Sequence, residues 1–226
     1  DLIANNERIM AASCDAAIKV FKEGGRLQKV TYMSSSMVFE STDHWPSVEG
    51  DERRIAPPLS SYGFQKLAVE YFARAAWDQY GLPYTIVRPF NCVGIGEGRA
   101  LGDVEVPSGN VKLAMSHVVP DLVQKVAKGI VTAMEHPDAR NEDFNLSTAE
   151  STNVRELADV IWRKIKGPDV PLNLVSDEAF EHDVAKRVPS VEKAKRVLGF
   201  EATTTLDEML DEVIPWITQA VADGRI

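Results

Sequence analysis

Tyr62 and Lys66 stand four residues apart in the run SSYGFQKLAVEYFARAAW, and a serine triplet, Ser34, Ser35 and Ser36, ends an apolar stretch upstream. Four residues is about one helical turn, so the phenol and the ammonium project from one face of a helix. A free tyrosine has a pKa of about 10 and is a poor base near neutrality. A positive charge beside it favours the phenolate. So assisted, Tyr62 can exchange a proton with a sugar or alcohol hydroxyl, and a serine hydroxyl placed nearby can hold the same oxygen. This is the acid–base half of hydride transfer at a carbinol.

A tyrosine and a lysine at this spacing also arise by chance, so the elements around them decide. QKVTYMSSS alternates like a buried strand that ends in hydroxyls. A proline-containing loop follows through 40–59, and Ser60 or Ser61 can cap a helix over about 61–80. The next apolar strand is Tyr84–Arg88, within LPYTIVRPFNCVG. Upstream, NNERIMAASCDAAIKVFKEGG is an alanine-rich helix closed by a glycine pair. Such helix–strand alternation predicts a parallel sheet with crossover helices. Residues 94–117 are a loop region, and a helix with Pro120 near its first turn carries Val118, Leu122, Val126 and Ile130. Further on, Asp143–Ser147 and Leu172–Val175 are expected strands, Thr152 or Asn153 and then Ser190 are expected caps, and Thr205 with Glu208 makes a capping box.

At 226 residues with 44% apolar content, the chain can bury a real core as one large or two small domains. A formal charge of −9 argues against a nucleic-acid surface. Two cysteines, Cys14 and Cys92, do not make a disulfide framework, which points to a reducing, cytoplasmic setting. No apolar run approaches the ~18 residues that a membrane span needs.

Five strings, in order, resemble the extended short-chain dehydrogenase/reductase family, the NAD-dependent nucleotide-sugar epimerases and dehydratases. They are VTYMSSSMVFE, YGFQK, VRPFNCVG, DFNLSTAESTNVRELADVI and RVPSVEKAKRVLGFEATTTLDEML. The resemblance implies a Rossmann-like doubly wound parallel sheet, incomplete at the N-terminus, with a small C-terminal α/β substrate lobe. Residues 1–100 would be a partial NAD-binding domain and 101–226 mainly the substrate lobe, with about 118–147 returning to the first domain. It implies Ser35, Tyr62 and Lys66 as the catalytic residues. Asn6, Ser34, Ser35, Tyr62, Lys66 and Phe90 would meet NAD (NADP being the alternative), Lys66 through the nicotinamide ribose. Ser36, Asn91, His117, Val118 and Arg187 would meet a nucleotide-diphosphate sugar, Arg187 as a planar fork on the diphosphate. It also implies a homodimer, built on the helices at about 4–24 and 61–80, and no metal.

Departures from the family pattern matter as well. No glycine-rich strand–turn–helix with a later acidic residue occurs; GIGEG at 94–98 is the nearest cluster. A second family insertion is missing near Gly129 and Ile130, so the sequence reads as part of a longer chain or as a gene fragment. Phe39 and Glu40 replace the family's usual Tyr-Gly. Met37 stands where dehydratases and decarboxylases tend to carry a glutamate, which favours a 4-epimerase: Tyr62 takes the C4 hydroxyl proton as hydride passes to NAD, the 4-keto sugar turns over, and hydride returns to its other face. A dehydratase or reductase of the same family is the alternative. A non-catalytic fragment or sugar-nucleotide-binding protein is the reading from another class.

Overall fold

The computed structural model describes residues 2–90, 92–93, 121–175, 184 and 186–223. In chain order the elements are α1 (Leu2–Lys22), β1 (Val30–Met33), α2 (Ser61–Tyr80), β2 (Tyr84–Pro89), β3 (Cys92–Val93), β4 (Asp121–Leu122), α3 (Val123–Glu135), β5 (Glu142–Leu146), α4 (Val154–Lys166), α5 (Glu192–Leu198) and α6 (Leu206–Ala222). The main sheet runs β1–β2–β5, all parallel, with Tyr32 opposite Ile86 and Val87 opposite Phe144. A second parallel pair joins β3 to β4.

Parallel neighbours need a crossover, and α2 supplies the one between β1 and β2. Successive strand residues point to opposite faces, so β2 must be apolar on both. Ile86 packs with Tyr32 and Ala73 of α2, while Val87 packs with Phe144, Ala133 of α3, and Leu198 and Phe200. The expected α/β architecture is therefore present, with helices covering both faces of the sheet. Gly129 lets the Phe200 ring come close: a Cβ there would lie 2.8 Å from the ring. On the α2 side, α1 packs Cys14 against Ala76 and Leu82.

Helix ends follow local chemistry. Ser60 caps α2 and Gly81, at φ 70°, ends it. Asn153 with Glu156 and Thr205 with Glu208 form capping boxes for α4 and α6, which pack on each other through Leu157, Met209, Leu210 and Val213. Three expectations need correcting. Leu172–Val175 forms no strand: Val175 is 87% exposed and no neighbouring edge pairs with the segment among the described residues. Ser190 does not cap α5; Val191 holds that position without a side-chain bond, because the Ser190 backbone is used by Ser47 and Asn145. The helix near Pro120 begins at Val123, Leu122 being paired with Val93 in β4.

Candidate active site

The three serines lie where β1 runs out. Ser34 still belongs to the ladder, its N–H donating to Val87 O at 2.9 Å. Ser35 is extended, and its hydroxyl accepts the Met37 N–H at 3.2 Å. It thereby caps a single 3-10 turn, Ser36–Phe39, whose four residues are all buried. The chain leaves this turn at Glu40, whose carboxylate accepts both the N–H (3.0 Å) and the hydroxyl of Ser60. Ser60 Oγ in turn accepts the Gly63 N–H at 3.0 Å. One carboxylate thus links the serine turn to the first turn of the helix that bears Tyr62.

Tyr62 is 44% exposed at the mouth of this arrangement. The Lys66 ammonium lies 5.7 Å from the centre of its ring and donates to Met33 O at 3.0 Å. The one-turn spacing therefore does bring phenol and ammonium to one face, beside the end of β1. Gly63 is required by close approach: a Cβ there would come within 2.7 Å of Pro58 Cβ and 2.9 Å of Met37 O.

Other expected site residues are distributed unevenly. Asn6, on α1, donates to Gln65 at 3.2 Å, next to Lys66. Ser36 is buried within its turn. Phe90 is buried as well, stacked on Phe39 at 6.1 Å beneath the turn, with Val38 and Leu67. Ser34, expected at the cofactor, turns its hydroxyl to Glu70 at 2.6 Å, so this side chain is committed to the interior. Arg187 lies in a segment bonded to residues 45–47. Asn91, His117 and Val118 lie outside the described residues.

A model of the NAD dependent epimerase/dehydratase family matches residues 1–147. The chain belongs to that family. Among curated relatives it is 23% identical over 224 residues to the UDP-glucose 4-epimerase of Halalkalibacterium halodurans, covering 84% of this chain and 63% of that one. The chain spans 63–64% of the length of the first curated relatives it matches. Among solved structures, the Thermotoga maritima UDP-glucose 4-epimerase with UDP-glucose superposes at a TM-score of 0.68, with 24% identity over 97% of this chain and 74% of that one. The UDP-glucuronic acid 4-epimerase of Bacillus cereus, in complex with UDP-glucuronic acid and NAD, gives 0.71 at 19% identity, covering 95% and 67%. These neighbours establish the Rossmann fold of this epimerase/dehydratase family member.

NAD, the cofactor in the family's name, has a donor set to meet at this end of the sheet. An ammonium carries three donors, and Met33 O takes one of those on Lys66; Tyr62 and Ser35 add hydroxyls. The residues present thus fit the nicotinamide-ribose end.

Behind the site lies a buried ion network that sequence reasoning missed. Arg88 is fully buried in β2. Its Nε and Nη2 grip the two Glu70 oxygens at 2.7 Å each, and Nη2 also donates to Asp143 at 2.6 Å. Arg74 joins Glu70 to Glu52. Burial opposes the Arg88 charge, but Glu70, Asp143 and Glu52 outweigh it and raise the guanidinium pKa above its ordinary value. Burial likewise opposes the Asp143 charge, yet Arg88 and Lys193 hold its carboxyl well below the usual carboxylate range. The signals were legible: a lone arginine inside an apolar strand needs a buried partner, and Glu70 stands one turn beyond Lys66.

Proposed function

We propose that this protein is an NAD-dependent enzyme of nucleotide-sugar metabolism, working as a 4-epimerase through a transient 4-keto sugar. The observation that carries the reading is the Lys66 ammonium held over the Tyr62 ring and against Met33 O, beside the Ser35 turn. Bound NAD would supply a reversible hydride acceptor and donor. The chain's own residues handle the proton. Tyr62 takes it from the sugar hydroxyl and returns it. Lys66 compensates the negative charge that develops on the phenolic oxygen and holds the nicotinamide ribose. Ser35 hydrogen-bonds the reacting sugar oxygen. Arg187 grips the diphosphate, with Asn91, His117 and Val118 completing the sugar side.

The epimerase is favoured over a dehydratase because Met37, 9% exposed within the serine turn, offers no carboxylate for proton removal from a bound sugar. It is tested by supplying the protein with NAD and a panel of UDP-, dTDP- and GDP-sugars and following epimers by NMR. Epimers from wild type and none from Tyr62→Phe support it; loss of water points to the dehydratase, and a reduced sugar formed with NADH supplied points to the reductase.

We infer a cytoplasmic homodimer. Cys14 is a free, buried thiol, and among the described residues no helix is long and apolar enough to cross a membrane. On α1 and α2, Ile9, Phe64, Tyr71 and Phe72 are exposed to 65%, 53%, 54% and 42%, an apolar face suited to a second copy.

A further inference from the structure

The chain between the serine turn and the Tyr62 helix is tied down at its base and at its tip. At the base, Glu40 holds Ser60, and Ser41 Oγ donates to Pro57 O at 3.0 Å. At the tip, Trp45 Nε1 donates to Lys186 O at 3.1 Å, and the Lys186 ammonium lies 5.2 Å above the indole. Ser47 then pairs with the chain around Pro189 in parallel: its N–H donates to Val188 O and its carbonyl accepts the Ser190 N–H, both at 2.8 Å. Asn145, fully buried at the end of β5, closes the joint. Its Nδ2 donates to Ser47 O at 3.1 Å and Ser190 O at 3.3 Å, and its backbone N–H donates to Glu49 at 2.9 Å.

The strap thus clamps the residues on either side of Arg187 from a loop that begins at the Ser35 turn and ends at the Tyr62 helix. We propose that Trp45 is a positioning residue, which acts through the 186–190 segment to hold Arg187 where a nucleoside diphosphate binds. The inference rests on the reading of Arg187 as the diphosphate ligand. Its physical basis is reach. An arginine gains from bidentate geometry only when its backbone is fixed; here the Ser47 backbone holds Val188 and Ser190 on one side of Arg187, and the Trp45 indole holds the Lys186 carbonyl on the other. Trp45 is 38% exposed, so trimming it opens no cavity in the core.

The test is calorimetric titration of the whole protein with UDP, or with dTDP or GDP if the sugar panel selects one of these. Arg187→Ala should weaken binding about 10- to 100-fold, the range for a lost charge-assisted bond. Trp45→Ala should weaken it about 5- to 10-fold, on the order of one lost neutral hydrogen bond and the ring's hold on Lys186. Trp45→Phe, which keeps a ring beneath the ammonium, should fall between wild type and Trp45→Ala. The double variant should bind no more weakly than Arg187→Ala alone, because a residue acting through Arg187 has nothing left to position. In turnover, Trp45→Ala should raise KM more than it lowers kcat. Wild-type affinity in Trp45→Ala, or losses that add fully in the double variant, would overturn the proposal while leaving the role of Arg187 standing. An unchanged affinity in Arg187→Ala, or no binding of any of the three nucleotides, would overturn both.

Discussion

At the scale of single residues, the chemistry depends on one oxygen and the charge beside it. Tyr62→Phe removes only a hydroxyl from a part-exposed side chain, so turnover should vanish while the urea midpoint stays within error of wild type; residual epimerisation near the wild-type rate would reject Tyr62 as the proton carrier. Ser35→Ala should slow turnover about 10- to 100-fold, as for one lost hydrogen bond to a developing charge, and more than Ser36→Ala, whose hydroxyl is buried in its turn; the reverse order in steady-state kinetics would move the sugar contact to Ser36. The placement of Tyr62 beside Lys66 was readable beforehand because a helix fixes where residue i+4 points. Glu40 was not readable. Its task, holding Ser60 across the loop, depends on a chain reversal that no local pattern records, and a resemblance that expects glycine there gives no hint of it.

Secondary-structure elements were easiest to read where their ends carry chemistry of their own. The bounds of α2 follow from Ser60 and Gly81, and those of α4 and α6 from capping boxes. The short segments failed for the opposite reason: among the described residues the apolar side of Leu172–Val175 finds no edge to pair with, and Leu122 pairs with Val93 in the β3–β4 ladder. At this scale the Arg88 network anchors α2 to the sheet. Truncating one partner leaves an uncompensated buried charge, so Glu70→Ala should cost about 3–5 kcal/mol in urea unfolding, with Glu70→Gln costing less. Gly63→Ala forces a methyl against Pro58 and Met37 O and should destabilise by about 1–3 kcal/mol, with a fall in kcat, since the displaced residue adjoins Tyr62. Asp143 sets a pH dependence. Its folded pKa is depressed, so its contribution is complete above the unfolded value of about 3.9 and is lost as pH falls below that. Urea midpoints of wild type should therefore drop more steeply than those of Asp143→Asn between about pH 4 and pH 2; parallel curves would show that the carboxylate is not stabilising.

For the whole molecule, the alternation of helices and strands made the parallel sheet foreseeable, whereas the way residues 41–60 and 186–190 meet was not, because the two stretches are separated by most of the chain and neither has a periodic pattern. If α1 and α2 form the proposed homodimer face, light scattering should give twice the chain mass for wild type and a single chain mass for Ile9→Lys with Phe72→Lys; a monomeric wild type would dismiss that surface as an interface. The indole of Trp45 gives the strap an optical signature. With Trp77, Trp162 and Trp216 replaced by phenylalanine, its emission alone would report the local environment. A part-exposed ring held on the Lys186 carbonyl should emit to the blue of free tryptophan, and Asn145→Ala, which loosens Ser47 and Ser190, should shift the maximum to the red and speed quenching by iodide.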